Sequence, residues 1–190
     1  MAAPSLTLMP PTSTLVSSDG LKWTFRYAVL GITPVATPTD FLQIIGSGSR
    51  TVRIKRIKVS GVATAAGNMP IQIVRRSTLG TQGSAAVTAI TAGKHDANDP
   101  APTASVGYVQ TANWTTPGTS AGVIAADRLF FSASGTGNYA PATVFDFCTR
   151  QDKALLARGT SDYLYINLNG AAVPSGGVID VEIETEEDGS

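Results

Sequence analysis

The sequence predicts an all-β fold, a single-domain two-sheet β-sandwich or jelly roll preceded by an extended N-terminal arm. Three observations lead there. Apolar residues alternate at period two in several runs. No window holds apolar residues at i, i+3, i+4 and i+7 over three turns. Small residues (Ala, Thr, Gly and Ser) dominate the composition, which favours extended, turn-rich chain over long amphipathic helices. At 190 residues the chain is long enough to bury a core as one domain.

Residues 1–20 contain Pro4, Pro10 and Pro11, which rule out a helix and predict an extended arm. This segment has no cationic start and no continuous apolar run, so it does not read as a secretory signal. No stretch of the chain approaches the ~20 apolar residues of a membrane span. Trp23, Phe25, Tyr27 and Val29 alternate with Thr24, Arg26 and Ala28, which is a strand with one aromatic face. Phe41–Ile45 is the next candidate. Gly46-Ser47-Gly48 leads from it into another strand and not into a helix, so it reads as a turn and not as a phosphate loop.

The stretch RTVRIKRIK, residues 50–58, is a strand with a slip in it. Val52 and Ile54 share one phase, and Ile57 and Val59 share the other. One extra residue at Lys55-Arg56, a β-bulge, points all four inward. Arg53, Lys55, Arg56 and Lys58 then face outward. Without the bulge one half of the strand buries its charges, at a cost of several kcal/mol each.

Shorter strand candidates are Pro70–Val74, Ser105–Gln110, Arg128–Phe131, Thr143–Phe147 and Ala154–Ala157. The polar stretches Thr91–Thr103 and Thr111–Ala121 read as excursions from one end of the sandwich. Leu164, Ile166 and Leu168 alternate with Tyr163, Tyr165 and Asn167 until the turn signal Asn169-Gly170. Ile179, Val181 and Ile183 alternate with Asp180, Glu182 and Glu184. No apolar anchor follows Ile183, so the end is expected to fray. The resulting division is an arm (1–20), a β-domain (21–185) and an acidic tail (186–190).

Fourteen basic residues balance fourteen acidic ones. There is no overall cationic field to drive binding to nucleic acid or membrane. The charges are nevertheless segregated. Residues 50–76 hold bases and no acid, and residues 178–190 hold acids and no base. Arg53, Lys55, Arg56 and Lys58 form a basic ladder, and Asp180, Glu182 and Glu184 an acidic one. Such ladders can pair across neighbouring strands or across a subunit boundary. Either arrangement accounts for the basic run without nucleic acid, and the run lacks the interleaved aromatics that stack bases.

Little in the sequence points to catalysis, a cofactor or a metal. His95, the one histidine, lies in GKHDANDP beside Asp96 and Asp99. That segment lacks zinc-ligand spacing and the calcium-loop pattern, and it reads as a polar turn. An enzyme would place His95 in a concave pocket beside an acid or a serine. Asp127 and Asp146 are isolated. Cys148, alone in an apolar VFDFC setting, excludes an intrachain disulfide and reads as a buried thiol. Trp114, Tyr108, Tyr139, Tyr163 and Tyr165 are candidate exposed aromatics, with Trp114 and Tyr108 expected together on an exposed end if they take a glycan.

Three segments carry a resemblance: VRIKRIKVSGVATAAGNMPIQIVRRSTLGTQGS, ITAGKHDANDPAPTASVGYVQTANW, and the closing VFDFCTRQDKALLARGTSDYLYINLNGAAVPSGGVIDVEIETEE. Together, over residues 50–187, they resemble small β-rich structural proteins of tailed-bacteriophage virions. In that type an R-G-T turn (here Arg158-Gly159-Thr160) precedes an N-L-N-G hairpin (here Asn167-Leu168-Asn169-Gly170) and an acidic last strand. The resemblance implies a virion component. The compact β-domain, the arm and the opposite ladders suit a capsid decoration (cement) protein on the capsid exterior, made in the host cytoplasm. Its expected partners are copies of itself, most simply a homotrimer, and the major capsid protein. Arg53, Lys55, Arg56, Lys58, Asp180, Glu182, Glu184 and Trp114 are the expected interface residues. A tail or head–tail component or a receptor-binding module is the alternative, and a small icosahedral coat protein a more remote one.

Overall fold

In a computed structural model of the chain, the described residues are 22–34, 40–81, 87–109, 114, 116–132, 138–148 and 154–188. The expected N-terminal arm lies outside them. The strands are β1 (Lys22–Ile32), β2 (Asp40–Ile45), β3 (Thr51–Ala63), β4 (Gly67–Arg76), β5 (Thr88–Ala89), β6 (Ala92–Lys94), β7 (Ser105–Tyr108), β8 (Ser120–Phe131), β9 (Asn138–Asp146), β10 (Leu155–Arg158), β11 (Tyr163–Asn167) and β12 (Val178–Asp188). They form two antiparallel sheets. Sheet A runs β10-β3-β12-β1-β6, with β9 on the same edge of β3 as β10. Sheet B runs β5-β7-β2-β11-β4-β8.

Period-two alternation creates the core. On sheet A, Phe25, Tyr27, Val52, Ile54, Ile57, Val59, Ile179, Val181 and Ile183 turn inward. Leu42, Ile44, Met69, Ile71, Ile73, Leu129, Leu164 and Ile166 meet them from sheet B. All of these are buried, so alternate positions of each strand leave water together and supply the main driving force of folding.

The bulge in β3 lies where the charge pattern requires it. Glu184 pairs with Arg56 and Thr185 with Ile54, leaving Lys55 as the extra residue. Val52, Ile54, Ile57 and Val59 are each fully buried, while Arg53, Lys55, Arg56 and Lys58 keep partial exposure on the outer face.

Several expectations are corrected. The last strand runs through Asp188, so Glu186, Glu187 and Asp188 belong to sheet A and not to a fraying tail. The Asn169-Gly170 turn forms, with φ of 48° and 76°. It makes no hairpin, because β11 pairs with β2 and β4 while β12 pairs with β1 and β3. The turn instead begins a crossing between the sheets. β8 is a twelve-residue strand where the sequence suggested only its last four residues. It lies at the edge of sheet B, exposed on both faces over most of its length, so its SAGVIAAD portion has no reason to alternate. Cys148 is exposed. β9 ends at Asp146, whose carboxylate accepts the Cys148 N–H at 2.9 Å and turns the chain out of the sheet.

A self-paired charge ladder and a covered aromatic face

β12 lies between β3 and β1, so its carboxylates have cations on both sides. Arg56 reaches Glu182 and Glu184 at 3.5 and 3.3 Å. From the other side Arg26 reaches the same two carboxylates at 3.2 and 3.0 Å. Lys55 contacts Glu186 at 3.4 Å, and Arg53 holds Asp188 through two hydrogen bonds of 3.1 and 2.7 Å. Lys22 lies 3.8 Å from Glu186. The basic and acidic ladders of the sequence therefore pair with each other within one chain. Sequence reasoning placed the ladders but missed Lys22 and Arg26, which precede the basic run and are scattered among aromatics.

The two ladder residues at the far end behave differently. Asp180 accepts the Gly31 N–H at 2.8 Å, bracing a bulge in β1 where Gly31 takes a φ of 76°. Lys58 faces Glu182 across the sheet but makes no ion pair among the described residues. At this end Leu30, Val62 and Val144 also stand on the outer face, at 80, 47 and 50% exposure, with Lys58, Ser60 and Asp180 between them.

The electrostatics of the ladder follow from these contacts. The hydrogen bonds from Arg53 hold the Asp188 carboxyl below its ordinary range, outweighing the opposing effect of partial burial. Asp188 in turn raises Arg53. Burial pushes the Cys148 thiol up, with Lys55 acting in the opposite sense. The pairs are half-exposed, so each contributes about 0–1 kcal/mol.

Two buried polar sites escaped sequence reasoning. Glu187 continues the inward phase of β12 and is fully buried. Arg50 reaches it at 3.1 Å, the Thr103 and Ala104 N–H groups donate at 2.9 Å, and the Thr103 hydroxyl donates at 2.7 Å. Arg50 also lies 4.2 Å over the Trp23 ring. Glu187 thereby latches the polar 95–104 segment onto sheet A. Burial, with Glu187 adding to it, raises the hydroxyl of Tyr27 well above the ordinary tyrosine range.

The second site lies on the outer face of sheet B. Arg76 grips Asp40 through two hydrogen bonds of 2.6 and 2.7 Å and donates to the Gly118 carbonyl at 2.8 Å. Asn167 donates to Asp40 at 2.7 Å. Beside them Trp114 packs edge-on to Tyr165, with centroids 5.4 Å apart and planes at 89°. Both rings are buried, which corrects their expected exposure. The segments around Thr81 and Thr116 pair with each other and cover them. Gly118 allows the close approach, since a Cβ there would lie 1.8 Å from the Thr78 carbonyl oxygen. Burial pushes the Tyr165 hydroxyl up to about 12. Trp114 Nε1 and Gln43 Oε1 are buried here without a hydrogen-bond partner among the described residues. Tyr108 and Tyr163 are half-buried, and the Tyr139 side chain lies outside the described residues.

His95 lies on an exposed turn, its backbone N–H bonded to the Thr24 carbonyl at 3.1 Å. Asp96 caps the Asn98 N–H at 2.9 Å, and the Asp99 carbonyl accepts Lys94 Nζ. Among the described residues no three of His, Cys, Asp and Glu converge as metal ligands would. Compared with protein-family models, curated proteins and solved structures, the chain matches none.

Proposed function

We propose that the chain is a structural component of a bacteriophage virion, a decoration protein that binds the outer capsid surface and bridges capsomers without catalysing a reaction. The observation that supports this best is the outer face of sheet A. Among the described residues its cations other than Lys58 are paired with carboxylates, so the face offers no row of free cations for phosphates. It supplies a charge-balanced slab with Leu30, Val62 and Val144 exposed toward one end. Exposed apolar side chains suit attachment to a protein surface. Self-association, most simply a homotrimer, belongs to the same reading. Its contact is reassigned from the ladders to Leu30, Val62 and Val144, because the ladders are engaged within the chain. The jelly-roll form of the two-sheet fold is part of the proposal, supported by antiparallel sheets between which the chain repeatedly crosses.

The test is mass spectrometry of gradient-purified particles, followed by addition of the protein to undecorated capsids. Saturable binding that Leu30→Glu weakens about tenfold supports the reading, a loss matching one interface hot spot. Recovery of the chain only with tails reassigns it to a tail component. Absence from particles together with no capsid binding overturns the proposal.

A further inference from the structure

The covering segments protect only one end of the outer face of sheet B. Beyond them the face is open, and a shallow groove of about 400 Å³ runs between β4, β8 and the β11 turn. Phe130 stands at its edge, 60% exposed. The register places Phe130 opposite Asn68, Arg128 opposite Pro70, and Ala126 opposite Gln72, all on the outer face. Asn169 closes the groove from the turn.

We propose that this groove binds a saccharide, with a sugar ring stacked on Phe130 and hydroxyls held by Gln72, Asn169 and Arg128. The chemistry of the lining favours this ligand class. The side-chain amides of Gln72 and Asn169 have no hydrogen-bond partner among the described residues, and each offers both donors and an acceptor. Hydroxyl groups, which donate and accept at once, match that set. Arg128 uses one guanidinium nitrogen on Asn68 Oδ1 at 2.8 Å, which fixes the fork and leaves its other donors open. An exposed aromatic ring beside the flat face of Pro70 suits the apolar side of a pyranose better than an aliphatic side chain, which needs an enclosing pocket.

The floor of the groove is also rigid. Gln72 pairs with Asn167, which the buried Asp40–Arg76 network holds in place, and Asn167 Oδ1 accepts the Asn169 N–H at 2.6 Å. These contacts fix the backbone that carries Gln72 and Asn169, which lowers part of the entropy cost of binding. Aromatic exposure sought at Trp114 thus lies elsewhere: Trp114 covers one half of this face, and Phe130 serves the open half.

This inference does not rest on the virion reading, since a protein absent from particles can still be tested for sugar binding. The experiment screens the full chain on an array of neutral and acidic oligosaccharides. The strongest hit is then titrated by calorimetry against wild type, Phe130→Ala, Gln72→Ala and the distant control Asp96→Asn. Circular dichroism checks each variant's fold, and light scattering checks its mass. The expected result is that Phe130→Ala and Gln72→Ala each weaken binding about tenfold, while Asp96→Asn binds as wild type. Retention of no saccharide overturns the proposal, as does equal binding by folded Phe130→Ala and wild type. A wild-type dimer that Phe130→Ala dissolves also overturns it, and assigns the groove to a second copy of the chain.

Discussion

Asp40 and Glu187 are carboxylates placed where alternation calls for apolar side chains or where a strand begins, and each is stabilised by donors distant in sequence. Asp40 is 36 residues from Arg76 and 127 from Asn167. No local pattern signals such partners, which is why neither residue stood out as a site. The energetic consequence is asymmetric. Asp40→Ala leaves the Arg76 guanidinium buried with the Gly118 carbonyl as its one hydrogen-bond acceptor among the described residues, and should cost roughly 3–5 kcal/mol in urea unfolding followed by tryptophan fluorescence. Adding Arg76→Met to that variant should recover much of the loss, because the stranded charge is gone. A single-variant loss below about 1 kcal/mol would mean the pair behaves like a surface ion pair.

At the scale of the element, β3 shows how much one residue sets. Lys55 is the bulge residue, so deleting it leaves Val52, Ile54, Ile57 and Val59 in strict alternation against β12. The deletion removes the Lys55–Glu186 pair and the carbonyl that accepts the Phe147 N–H at 2.9 Å. It should therefore fold, with a loss of about 1–2 kcal/mol. Deleting Lys58 instead makes Ile57 and Val59 adjacent, forcing one of them outward, and should cost more than about 3 kcal/mol or abolish cooperative melting. Equal melting curves for the two deletions would refute the bulge assignment. This strand was legible in the sequence because its charges and its apolar residues both report the phase. β8 was not legible, because an exposed edge strand imposes no pattern on its residues.

At the scale of the molecule, the placement of β12 between β3 and β1 turns two segregated charge runs into a neutral face. Salt should then act on stability and not on assembly. Between about 0.01 and 1 M salt the screening length falls from roughly 30 to 3 Å. The melting temperature should fall by a few degrees over that range, while the mass measured by light scattering stays constant. A mass that drops with salt would show that the ladders also pair between chains.

By itself the sequence determined the all-β class, the inward phase of the long strands, the β3 bulge and the existence of two opposite charge ladders. All of these are local: a period of two, one extra residue, a run of like charges. Only the tertiary structure decided which strands lie side by side. It therefore decided that the ladders meet within one chain, that Glu187 and Asp40 are buried among donors, that Trp114 is covered and that Phe130 is open. Each depends on residues tens of positions apart being brought within hydrogen-bond or van der Waals distance, and that information resides in sheet order and in no single stretch of chain.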